Sequence, residues 1–195
     1  MLGLRQRRLL RALRDVDDTK RWAAAKALSD SRDEHTVRRV ERLLQSDADE
    51  GPRAAAAYVL GFSGNTDVAP RLASVLADPD ESVVVRAYAA EALGHLLQHE
   101  TVVAEVRTAI RGGLRAPEAE VRFWSTFAAG VLGLQETRAY LERLLATDHE
   151  EIDGWWSVGE EADWALRLLD GEEDPPLPGP VPVARADGEG VDAGG

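Results

Sequence analysis

Four segments of this chain, KRWAAAKALS, PRAAAAYVLG, VRAYAAEALG and VRFWSTFAAG, beginning at Lys20, Pro52, Val85 and Val121, are copies of one pattern. Their arginines Arg21, Arg53, Arg86 and Arg122 stand 32, 33 and 36 residues apart. A fifth copy, VGEEADWALR from Val158, carries Gly159 where the arginine belongs, 37 residues further on. A period of this length means that the chain is a stack of similar supersecondary units, none able to bury its apolar surface alone. Five units fill about residues 2–170.

Counted from the arginine, small or apolar residues recur at +3, +4, +6 and +7, as in Ala89, Ala90, Ala92 and Leu93, while +1, +2, +5 and +9 vary. At 3.6 residues per turn the constant positions form one stripe and the variable ones lie opposite. The spacing predicts a helix packed closely enough to require alanine. Before each such helix stands another amphipathic segment, as in HTVRRVERLLQ, DVAPRLASVLA, VVAEVRTAI and TRAYLERLLA. Acidic turns such as DVDD from Asp15, DADE from Asp47 and DPDE from Asp78 separate the two helices. Their side chains can accept the free N–H groups of the following helix and complement its positive end. The expected unit is a helical hairpin, and the expected fold is an all-α solenoid of about five hairpins.

The D-x-D…VRxxAAxALGxL cadence resembles the HEAT repeat, in the compact bacterial form found also in phycobilin lyase subunits. That resemblance implies that the second helices line the concave face. It also implies that the repeated arginine and the preceding acid make a ladder between units. Ser82 stands in the acid position before Arg86, and in the fifth unit Trp155 replaces the acid as Gly159 replaces the arginine.

After Asp170 the texture changes to GEEDPPLPGPVPVARADGEGVDAGG, with five of the nine prolines and no aromatic residue. Such a segment cannot bury enough surface to order itself, so residues 171–195 are expected to be a disordered acidic tail. Pro175 to Pro178 makes a PxxP, a spacing too common to be read as a ligand motif. The net charge of −12 divides into −5 on this tail and −7 on residues 1–170, which argues against a nucleic-acid partner. Arg5, Arg7, Arg8, Arg11 and Arg14 make the first helix an exception, read as a solvated end face. With no cysteine, no signal-peptide run and no apolar run of membrane-spanning length, a cytoplasmic protein is expected.

Catalytic signatures are thin. There is no Gly-rich phosphate loop, GxSxG elbow or HExxH. His95 and His99 have helical i, i+4 spacing but no evident third ligand. The HEAT-repeat enzyme deoxyhypusine hydroxylase binds iron through His-Glu pairs at +1 and +2 of this cadence. Here those positions hold Trp22 and Ala23, Ala54 and Ala55, Ala87 and Tyr88, Phe123 and Trp124, and Glu160 and Glu161. HEAT-like DNA glycosylases have a basic groove, whereas the variable stripe here carries chiefly Lys26 against Asp30, Glu91, Glu160 and Glu161. The expectation is a non-enzyme with no cofactor and no metal.

What remains is the variable stripe, on which aromatic residues accumulate toward the C-terminus. Tyr58, Tyr88, Glu91, Phe123, Trp124, Phe127, Trp155 and Trp164 are the candidate protein-binding residues, with Glu160 and Glu161 as an acidic rim. Trp156 and Trp164 are expected rather to close the solenoid at the last repeat, while Trp155, in a turn at a normally polar position, is the one expected to touch a partner. The resulting expectation is a scaffold or adaptor that binds a protein or peptide on its concave face. An accessory, lyase-like or chaperone-like subunit of an enzyme complex is the alternative.

Overall fold

The structure, a computed structural model, describes residues 3–179. Ten α-helices pair into five hairpins: α1 Leu4–Ala12 with α2 Asp18–Ser29, α3 Glu34–Ser46 with α4 Glu50–Gly61, α5 Ala69–Ala77 with α6 Val83–Leu97, α7 Ala104–Gly113 with α8 Ala119–Val131, and α9 Arg138–Thr147 with α10 Val158–Leu169. The second helices α2, α4, α6, α8 and α10 pack side by side as one layer, and the first helices cover its other side. The core lies between the layers, where Leu13, Leu28, Leu44, Leu60, Leu72, Leu93, Ile110 and Leu141 are almost fully buried.

The end units show what each register position does. At +6, Ala92, Ala128 and Ala165 are buried, but Ala27 of the first unit, with no repeat before it among the described residues, is exposed. At +4, Ala25, Ala57, Ala90 and Thr126 are buried, but Asp163 of the last unit is exposed because no repeat follows it. Position +6 therefore faces the preceding repeat and +4 faces the following one. One turn beyond +4, at +8, stand Gly61, Gly94 and Gly130.

These glycines are where neighbouring helices approach most closely. A Cβ on Gly61 would lie 2.7 Å from Ala92 Cα, and one on Gly130 would lie 2.8 Å from Ala165 Cα. Backbone cannot yield as a flexible side chain can. Gly61→Val is therefore expected to lower stability by about 2–3 kcal/mol through overpacking. Gly112→Ala, in α7 with nothing within 4 Å of its missing Cβ, is expected to raise stability by up to about 1 kcal/mol. Denaturant melts of both variants check the contrast; equal effects would contradict the assigned contact.

The arginine ladder exists, with one acid, Glu118, in the expected position and the others elsewhere. Arg53 donates to the Asp47 carbonyl of its own turn and forks onto Glu81 of the next unit at 3.1 and 2.7 Å. Arg86 reaches Glu118 at 3.1 Å, and Arg122 reaches Asp148 at 2.7 Å and Glu150 at 3.2 Å. The residue four before each arginine is the N-cap of its own second helix, Asp17, Asp49, Ser82 and Glu118, and Glu118 is at the same time the acid that Arg86 reaches. Asp17 accepts from the Thr19 and Lys20 amides, which with Lys20 lower its carboxyl pKa. The ladder stops at Gly159, whose amide donates to the Asp148 carbonyl and where a Cβ would lie 2.7 Å from that oxygen.

The expected disordered tail is corrected over its first residues. Gly171 closes α10 in the left-handed region at φ +91°, with its N–H on the Leu168 carbonyl and the Glu172 N–H on the Arg167 carbonyl. This pairing turns the chain back on itself. Pro175 is then buried against the last repeat. Residues 180–195 lie outside the described residues.

Candidate functional site: an aromatic band along the second helices

Positions +1, +5 and +9 are one helical turn apart, so they line one edge of each second helix. There the side chains of successive units meet. Trp22 packs on Tyr58 at 5.8 Å between ring centres, Tyr58 on Phe62 at 5.0 Å, and Phe62 on His95 at 4.6 Å. His95 then packs on Phe127 at 5.1 Å, and Phe127 stacks on Trp164 at 6.0 Å with planes 9° apart. All six rings are half-buried. They form a continuous band across all five repeats.

Of the expected binding residues, Tyr58, Phe127 and Trp164 belong to this band. Glu91, at +5 of the third unit, sits among the rings with Oε1 3.8 Å from His95 Nε2 and with Oε2 buried and without a partner. Burial and the nearby charges of Glu91 and Asp30 raise the pKa of Tyr58. Trp22, Phe62 and His95 were missed by the sequence reading. The signal that could have found them is their +1 and +9 register, one turn from the +5 aromatics.

Three expected surface residues are corrected to buried ones. Tyr88 lies under Trp22 at 4.9 Å, and Trp124 lies beneath Phe127 and Trp155 at 5.7 and 5.2 Å. Phe123 is 1% exposed, closed in by Trp124, Trp155 and Trp156. The cover is the α9–α10 connection, residues 148–157, longer than the corresponding turns. Ile152 donates to the Trp156 carbonyl, Glu151 bridges to Ser157, and Gly154 supplies the turn at φ +75°. This folded loop lays both indoles over the start of α8.

Trp155 is half-buried rather than projecting, and its indole N–H is buried without a partner. Trp156 is buried and donates to Glu161 Oε2 at 2.6 Å. Glu161, expected on an acidic rim, is 2% exposed; desolvation pushes its carboxyl up to about 8 against the lowering effect of the Trp156 bond. Its neighbour Glu160 has the opposite shift, because Ser157 bonds to it through backbone and side chain in a capping box.

Beside the first half of the band, at the N-terminal ends of the second helices, lies a groove of about 770 Å³. Trp22 and Tyr88 form part of its wall and Asp18, Asp49, Glu50 and Glu120 part of its rim. Its two arginines are engaged by the protein itself, Arg14 with Asp47 and Arg21 with Asp18 and the Asp15 carbonyl. Among the described residues no group of three or more His, Asp or Glu side chains is placed to hold a metal ion. Nor is any described helix long and apolar enough to cross a membrane.

Paired helices in two layers, with the repeat-to-repeat contacts heaviest along the second helices, define an α-solenoid. Residues 7–87 match the model of the HEAT repeats family, and the later hairpins continue the same register. A chain of the CpcE–CpcF complex of phycocyanin lyase from Nostoc sp. PCC7120 is similar in fold, with a TM-score of 0.65 at 21% identity over 83% of this chain and 97% of that one. An engineered protein is also similar, with a TM-score of 0.53 at 17% identity over 86% of this chain and 80% of that one. No curated protein matches the chain in sequence.

Proposed function

We propose that the chain is a non-enzymatic binding module that holds a protein or peptide along its second-helix layer. The observation that supports this is the band from Trp22 to Trp164, six half-exposed rings in unbroken contact across all five repeats. Aromatic anchors at the centre of an interface each contribute about 2 kcal/mol or more to binding. Carboxylates outnumber cations in the groove beside the band, which disfavours a phosphate backbone as the occupant.

A second reading draws on the fold neighbour, a chain of a two-subunit lyase complex. On that reading the partner is an enzyme and this chain its accessory subunit. Both readings make the same surface the contact. Affinity capture from cell extract is expected to recover a partner with the wild-type chain and to lose it with Trp22→Ala/Tyr58→Ala/Phe62→Ala, while circular dichroism still shows a folded helical protein. An unchanged set of captured proteins would remove the band as the binding surface. Whether the captured protein is an enzyme separates the two readings.

A further inference from the structure

The chain itself shows what kind of segment the C-terminal end of the band accepts. Beyond Gly171, Arg167 forks onto both oxygens of Glu172 at 2.8 and 2.6 Å and fixes the direction of the returning chain. The Trp164 indole N–H then donates to the Pro175 carbonyl at 3.0 Å, and the Pro175 ring is buried. Pro176, Leu177 and Pro178 stay in solvent, and a Cβ on Gly179 would lie 3.3 Å from the Trp156 ring. Segments of this composition are stiff and lack N–H donors at proline, so they are recognised through their carbonyls and rings. An indole that offers both a flat apolar face and one N–H suits both needs.

We propose that Phe127, Trp156 and Trp164 form a binding site for an extended proline-rich segment of another protein, and that residues 174–179 occupy this site in cis. The inference rests on reading the second-helix layer as a binding surface, and it names the partner class and the regulation at one end of that surface. The cis segment is held by one hydrogen bond and one buried proline, so a free segment of the same chemistry can displace it. Its tether is short, which sets a local concentration in the millimolar range. A competing segment therefore meets a site that is only fractionally open, and its apparent affinity falls by that fraction.

A fluorescein-labelled synthetic peptide, EDPPLPGPVP, reports the site by fluorescence polarisation. The proteins are the full chain, the full chain with Pro175→Ser/Pro176→Ser/Pro178→Ser, and that variant with Trp164→Phe added. The triple variant is expected to bind the peptide about tenfold more tightly than wild type, since the competing segment is gone. Trp164→Phe, which keeps a ring and removes the N–H, is expected to lose that gain. A peptide with alanine at every proline is expected not to bind. Equal binding to wild type and triple variant, no effect of Trp164→Phe, or equal binding of the alanine peptide would each overturn the proposal. Pro175→Gly alone is the milder release variant if the triple exchange unsettles α10, with a smaller gain expected and no gain overturning the proposal. Partner capture through Trp22, Tyr58 and Phe62 does not depend on this end of the band, so failure here leaves the broader surface standing.

Discussion

Glu161→Gln is expected to raise the melting temperature of this protein by an amount that grows with pH, from almost nothing near pH 4.5 to roughly ten degrees at pH 8. The reason is a carboxyl that folding forces into a dry site. Glu161 is 2% exposed beneath the 148–157 loop, and desolvation lifts its pKa to about 8 from an ordinary 4.5. Between those values the folded chain binds a proton that the unfolded chain does not, so stability falls as pH rises. The stabilising contribution is whole below pH 4.5 and is gone once pH passes 8. Over the full window the loss is at most about 4–5 kcal/mol, taking 1.4 kcal/mol per pH unit.

Gln keeps an oxygen for the Trp156 N–H, now 2.6 Å from Glu161 Oε2, and carries no charge at any of these pH values. Its advantage should therefore track the ionisation of Glu161 and nothing else. In a chain of this size about 1 kcal/mol corresponds to roughly 2–4 °C. Other perturbed carboxyls act in a different window. Asp17, Asp33, Glu136 and Glu160 have lowered pKa values, so what they contribute is lost only as pH falls through the acid range. Thermal melts of both proteins at pH 4.5, 6, 7 and 8 give the comparison. A constant offset across the series would mean that Glu161 is not the titrating group.

Glu161 also shows where sequence reading ends. The repeats were legible because every copy must satisfy the same neighbours, so the alanines at +3, +4 and +6 and the glycine at +8 recur. The hairpins, their number and the change of texture after Asp170 follow from that recurrence. Variable positions carry less information, because a position can vary for lack of a shared neighbour as well as for exposure to solvent. Tyr88 and Trp124 vary at +2 yet are buried, one by Trp22 of the first unit and the other by Trp155 of a loop. The longer spacing before the fifth copy betrays the extra residues of that loop, but not that they fold back over α8. The proline segment is similar: its composition predicts disorder, and only the position of the Trp164 N–H explains why Pro175 is held.

Phe123→Ala tests the largest of these revisions, and it is expected to destabilise the chain by about 3–5 kcal/mol. On the sequence reading Phe123 was a surface residue awaiting a partner, for which truncation costs little stability and much binding. In the structure its ring meets Trp124 edge-on at 5.2 Å and lies 6.0 and 6.1 Å from Trp155 and Trp156. Removing it leaves a cavity beneath both loop indoles, which α8 cannot close because its other side is fixed against α6 and α10. Contacts in a solenoid run mostly between neighbouring units, so the damage should stay local at first. Tryptophan emission should shift to the red and the C-terminal repeats should melt early, while the first two hairpins retain their amide protection in hydrogen exchange. Phe123→Leu should recover part of the loss, since it refills much of the cavity with apolar volume. Wild-type stability in Phe123→Ala, accompanied by loss of a partner, would return Phe123 to the surface and remove the folded loop as its cover.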